Sequence, residues 1–109
     1  NGALIASAWS TLVHMGKSGY RAAALRLWAL HQQATQAVEA IPGIKVLAHS
    51  DCSVVPITGT AGGLDVFALA TLMEKRGWSV FTSRRPACMG LCLGEQHGKV
   101  LEQWCRDLK

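Results

Sequence analysis

Charge is scarce in this chain, and none appears before Lys17. Only 17% of the 109 residues are charged and 50% are hydrophobic. Disordered segments have the opposite balance, so a folded chain is expected. Proline is rare and no low-complexity tract or internal repeat divides the sequence, which excludes a linker or a solenoid. A single domain is expected, large enough to enclose a core but with little reserve of stability. The uncharged opening from Gly2 to Gly16 is too short to span a bilayer and carries Ser7, Ser10, Thr11 and His14. It has no basic residues before it, as a signal peptide requires. It reads as a helix to be buried against something that need not lie in this chain.

The net charge of +4 comes from eleven scattered basic residues, with Lys75-Arg76 and Arg84-Arg85 the only adjacent pairs. A clustered basic face or a recognisable module is missing, so nucleic acid is not an expected partner. No Cys-x-x-Cys spacing occurs among Cys52, Cys88, Cys92 and Cys105. Cys88 and Cys92 fall in a predicted strand, where four residues span about 13 Å at roughly 3.3 Å each, too far for one metal. Reduced, structural thiols are expected, without metal.

The apolar pattern sets the elements. Ala3 to Met15 carries Leu4, Ala8, Trp9 and Leu12 at helical spacing, widened by Ile5 and Val13 until little but a narrow polar stripe is left. Gly16 and Gly19 interrupt it, and Ser18 is the expected N-cap of a second helix. There Tyr20, Ala24, Leu27, His31, Ala34, Val38 and Ile41 form one face, up to the stop at Pro42-Gly43. Strands are expected over Ile44–His49 and Cys52–Thr58, with Pro56 favouring an edge or a bulge. Asp65 caps a helix running to Arg76 with Val66, Leu69, Leu72 and Met73 as its apolar face, and Gly77 ends it. Strands at Trp78–Thr82 and Ala87–Leu93 flank the turn Arg84-Arg85-Pro86, and His97–Leu108 closes the chain as a helix. This order predicts an α+β fold: a small, mostly antiparallel sheet of about four strands with helices on one face, preceded by two helices.

Few motifs carry chemistry. Gly16-Lys17-Ser18 resembles the end of a phosphate-binding loop, but the glycine required five residues earlier is Thr11, inside a helix. The loop Gly59–Gly63 precedes a helix, a geometry that can hold an anion, yet lacks the spacing and a nearby cation. His14, His31, His49 and His97 have no ligand spacing. Arg84 and Arg85 are the candidate substrate-binding residues, because paired guanidiniums suit a phosphate or carboxylate. No nucleophile, acid–base pair or metal set assembles from these residues, so no catalytic or metal site is expected in this chain.

Three stretches read together resemble sphingosine phosphate lyases. Gly2-Ala-Leu-Ile-Ala-Ser-Ala-Trp9, continuing through Val13-His-Met-Gly16 to Gly19-Tyr20, is similar to the segment that follows that family's Gly-Ser-Arg motif. Pro42-Gly43-Ile44 and Ser53-Val54-Val55 resemble its Gly-Ile and Ser-Val-Ile strands. Leu64-Asp65-Val66-Phe67-Ala68-Leu69, with Leu72-Met73 and Gly77-Trp78, resembles its Asp-Ile-Tyr-x-Leu…Met…Gly-Trp helix. The chain departs from the pattern at Met89, where a histidine is expected, and at His97, one position off.

The resemblance implies that residues 1–109 are the C-terminal small domain of a larger pyridoxal-phosphate-dependent enzyme of fold type I. Residues 1–40 would be a helical connection to a large domain and 41–109 the α+β layer. Such enzymes cleave a phosphorylated sphingoid base to a fatty aldehyde and phosphoethanolamine, with the cofactor held on a lysine and acting as electron sink. That lysine would lie upstream of Asn1, since neither Lys17 nor Lys45 has a suitable context. The resemblance further implies a homodimer, a lipid phosphate or other small-molecule substrate, and a cytosolic or cytosol-facing site on the endoplasmic reticulum. A related amino-acid decarboxylase and a free-standing α+β interaction module stay open as alternatives.

Overall fold

The computed structural model describes residues 1–60 and 64–109. It begins with a long helix, α1 (Gly2–Glu39), whose first free amide is capped by the Asn1 side chain: Ala3 N–H donates to Asn1 Oδ1 at 3.1 Å. The expected interruption is present as a kink at Gly16, where φ is 60° and ψ is 179°. Ser18 is not the cap. Because Gly16 itself takes the non-helical conformation, Ser18 falls in the first turn after the kink, exposed and without a side-chain hydrogen bond among the described residues.

Four strands follow in an antiparallel sheet of order β1-β2-β4-β3: β1 (Ile44–Val46), β2 (Val54–Gly59), β3 (Phe81–Arg84) and β4 (Ala87–Cys92). Two expectations about the first pair fail for one reason. Pro56 is neither at an edge nor in a bulge, because β2 lies between β1 and β4. The Pro56 carbonyl accepts from Leu47 N–H at 2.9 Å, which makes Leu47 and Pro56 a hydrogen-bonded pair in the β1 register. Proline cannot return the second bond, so β1 ends at Val46 and does not reach His49. Opposite β4, Pro56 faces Gly90 at a position whose backbone groups point the other way, and the central ladder loses nothing.

β3 starts three residues later than expected because Trp78 is engaged elsewhere. Its backbone N–H donates to Met73 O at 3.0 Å and its indole N–H to Asp107 Oδ2 at 2.9 Å. Arg84 pairs with Ala87, so it is the last residue of β3 and not part of the turn.

Helix α2 (Val66–Lys75) is capped by Asp65, whose Oδ1 accepts from Phe67 N–H at 2.9 Å. It buries Val66, Leu69, Ala70 and Met73, whereas Leu72 is exposed. The single closing helix expected from His97 is two pieces, a 3-10 turn at Glu95–Lys99 and helix α3 (Leu101–Leu108). In the turn His97 Nδ1 accepts from Gly94 N–H at 2.8 Å, and Val100 at φ −123° separates the pieces.

Alternation along the strands sends Val55, Ile57, Met89 and Leu91 to one face of the sheet, where they join Ala34 and Val38 of α1, Met73 of α2 and Leu101, Trp104 and Leu108 of α3. All three helices therefore lie on that face, as an α+β layer requires. Burying each such large side chain contributes about 1.5–3 kcal/mol. No residue of α1 before His31 is buried.

Candidate functional site

The Arg84–Arg85 pair is divided by the fold. Arg84 closes β3 and lines an open cleft of about 530 Å³ with Phe67 and Thr82. Arg85 sits in the turn before Pro86, exposed, and does not line that cleft. Neither guanidinium takes part in a salt bridge among the described residues. Of the Gly59–Gly63 loop only Gly59 and Thr60 belong to the described residues; residues 61–63 lie outside them. Gly16, Lys17 and Ser18 belong to α1 and follow no strand, so they form no phosphate loop.

The four histidines stay apart. His14 is exposed on α1, His49 lies 3.9 Å from Glu39 Oε1 at the surface, and His97 holds its own turn. His31 is different: it is 4% exposed, and its Nδ1 has no hydrogen-bond partner. It stacks on Trp28 one turn earlier, with ring centroids 5.5 Å apart and planes at 14°. This stacked pair forms one wall of a cleft of about 210 Å³, completed by Ala24, Leu27 and the Asp51-Cys52-Ser53 segment before β2. Sequence spacing places Trp28 and His31 on neighbouring positions of one helix, but nothing local brings Cys52 to them.

The four thiols are free. Cys88 and Cys92 share the sheet face opposite the helices, one buried and one exposed. Burial pushes the Cys105 thiol up; the Lys109 charge offsets part of this, and the Glu102 charge adds a smaller push in the same direction as burial. Cys52 Sγ lies 2.9 Å from Ser50 Oγ. No group of three or more potential metal ligands exists among the described residues.

A second polar cluster joins the ends of α2 and α3. Asp107 accepts from the Trp78 indole at 2.9 Å and from Gln103 Nε2 at 3.0 Å, while Arg76 donates to its backbone carbonyl. The Trp78 and Gln103 bonds, then the nearby Arg76 and Arg106 charges, hold the Asp107 carboxyl below its ordinary value. The cluster ties two helices together.

A lysine-bound cofactor does not fit these residues. Lys45 is exposed, Lys17 is exposed and lines only an open surface cleft of about 590 Å³ along α1 with Ser18, Arg21, Ala22 and Leu25, and neither the Trp28–His31 cleft nor the Arg84 cleft contains a lysine. No described helix is long and apolar enough to cross a membrane. What the geometry defines is an α+β domain with an exposed apolar helical segment and, among its described residues, no group of three or more potential metal ligands.

The likeness to known proteins is specific: the chain is similar to the C-terminal part of sphingosine-1-phosphate lyases. It is 29% identical to the sphingosine-1-phosphate lyase of Oryza sativa subsp. japonica over 108 residues, and 27% identical to that of Arabidopsis thaliana. Each alignment covers 99% of this chain and 20% of the relative. Among solved structures, the sphingosine-1-phosphate lyase of Burkholderia pseudomallei K96243 superposes with a TM-score of 0.89 at 28% identity, over 99% of this chain and 24% of that one. The chain thus spans about a fifth of the length of the curated relatives it matches. No protein-family model matches it.

Proposed function

We propose that this chain is the C-terminal small domain of a pyridoxal-phosphate-dependent lyase that cleaves a phosphorylated sphingoid base to a fatty aldehyde and phosphoethanolamine. The observation that carries the reading is similarity along 99% of the chain to lyases of which it spans a fifth, joined to a matching fold. In such an enzyme the cofactor supplies an electron sink for the carbon–carbon cleavage. Lys17 lines only an open surface cleft on α1 and has no catalytic context, so we assign the cofactor to a large domain upstream of Asn1. The apolar first part of α1 docks on that domain, within a homodimer. Arg84 and Arg85 are the residues we assign to an anionic group of the substrate.

Three measurements test this. The reading frame upstream of Asn1 is expected to encode a lysine preceded by histidine or aspartate, and then Gly-Ser-Arg. The protein made from that whole frame is expected to release a long-chain aldehyde from sphingosine phosphate. Carbon dioxide release from an amino acid, with no aldehyde, would move the assignment to a decarboxylase. The 109-residue chain incubated with pyridoxal phosphate and borohydride is expected to show no stoichiometrically labelled lysine. Labelling at one lysine would overturn the upstream placement.

A further inference from the structure

We infer that Gly16 is an angle-setting joint, which fixes the direction of the apolar helical segment 2–15 relative to the sheet and its helices. The inference stands on this chain's geometry alone and does not depend on the proposed reaction.

The backbone at Gly16 has φ 60° and ψ 179°. That region is essentially restricted to glycine, because a Cβ on an L residue collides with the neighbouring peptide. Sharp helix kinks have few causes, and proline is not one of them here, since α1 contains none. The Thr11 hydroxyl donates to Ser7 O at 2.9 Å one turn earlier, a bond that bends a helix only gently. A straight helix of this length would measure about 56 Å at about 1.5 Å per residue. The longest principal-axis extent of the described chain is 50 Å, shorter than that, and the change of direction itself is given by the non-helical backbone at Gly16.

The elbow packs on itself. Within residues 1–22 only Met15, Gly16 and Gly19 are half-buried, and the rest are exposed. A Cβ at Gly19 would lie 3.3 Å from Met15 Cβ, so the end of the first segment sits close against the start of the second. Nothing else holds the segment: among the described residues no side-chain hydrogen bond or salt bridge joins residues 1–20 to the rest of the chain. Buried packing of α1 begins only at His31. Its direction is therefore set at Gly16, and Leu4, Ile5, Trp9, Leu12 and Val13 are carried wherever the joint points them.

An L-alanine at this position cannot keep the elbow cheaply and is the best helix former, so α1 should straighten. A D-alanine favours the native φ and should preserve the bend. The test uses the 109-residue chain with ketone-bearing residues at the exposed positions Ala6 and Gln33, spin-labelled without touching the cysteines and diluted with unlabelled protein. A straight helix separates the two backbones by about 40 Å. Pulsed electron spin resonance is expected to give a distance several ångströms shorter in the native chain, close to 40 Å in Gly16→Ala, and short again with D-alanine. The melting transition should persist in all three, since the core lies elsewhere. The inference is overturned if the native chain gives the straight-helix distance, if Gly16→Ala keeps the short one, or if D-alanine gives the long one.

Discussion

At the scale of single residues, the side chains that matter most are those whose ionisation or exposure is set by a neighbour. Asp107 receives two side-chain donors and lies near two arginines, so its folded pKa is depressed. A depressed carboxyl contributes stability above its unfolded pKa of about 3.9, and that contribution is lost as pH falls through the folded value. Asp107→Asn should therefore lower the melting temperature at pH 7 and flatten the decline in stability below about pH 4. Thermal melts of both proteins from pH 2 to 7 check this, and parallel curves would remove Asp107 from the account. The thiols should separate by surroundings. Cys52 and Cys92 are exposed and should react with a disulfide reagent in the folded chain. Cys88 is buried and Cys105 is partly buried with its thiol pushed up, so both should wait for denaturant. Peptide mapping of the modified sites after timed labelling gives the order.

At the scale of elements, β4 is one of the two central strands of the sheet and pairs with both β2 and β3. Its Gly90 faces Phe81 and Pro56 on the sheet side away from the helices. A Cβ there would meet the Phe81 ring at 2.4 Å and the Val55 carbonyl oxygen at 2.6 Å. Gly90→Ala should cost about 1–3 kcal/mol by overpacking, read from urea unfolding. Adding Phe81→Ala relieves the ring but not the backbone oxygen, so the double variant should recover only part. Full recovery would show that the ring alone excludes a side chain. Caps at this scale were legible from local chemistry: Asp65 and the stop at Gly77 (φ 89°) act within one turn of their own positions. Pro56 was not. Whether a missing donor harms a sheet depends on which neighbour its backbone faces, and that neighbour is about nine residues away on one side and about thirty-four on the other.

For the whole molecule, the unbalanced feature is the first part of α1. Leu4, Ile5 and Trp9 are 70%, 71% and 68% exposed, and Leu12 and Val13 are exposed beside them. Leaving several such side chains in water forgoes about 1.5–3 kcal/mol each, comparable with the total stability of a small domain. The 109-residue chain should accordingly self-associate with rising concentration. A version lacking residues 1–16 should sediment as a monomer and keep a cooperative melt, because no buried residue is removed. If the shortened version unfolds while the full chain is a compact monomer, the segment belongs to this domain's own core and the docking argument fails.

Periodicity, capping residues and glycine placement determined the α+β class, the four strands, the break at Gly16 and the uncovered apolar helix, because each depends on side chains within a few residues of one another. The order β1-β2-β4-β3, the internal position of β2, the early end of β1 and the separation of Arg84 from Arg85 were decided only by tertiary structure. So was the cleft of Trp28, His31 and Cys52. The physical reason is common to these features: each is fixed by which backbone or side chain arrives from a distant part of the chain, and no local pattern encodes that arrival.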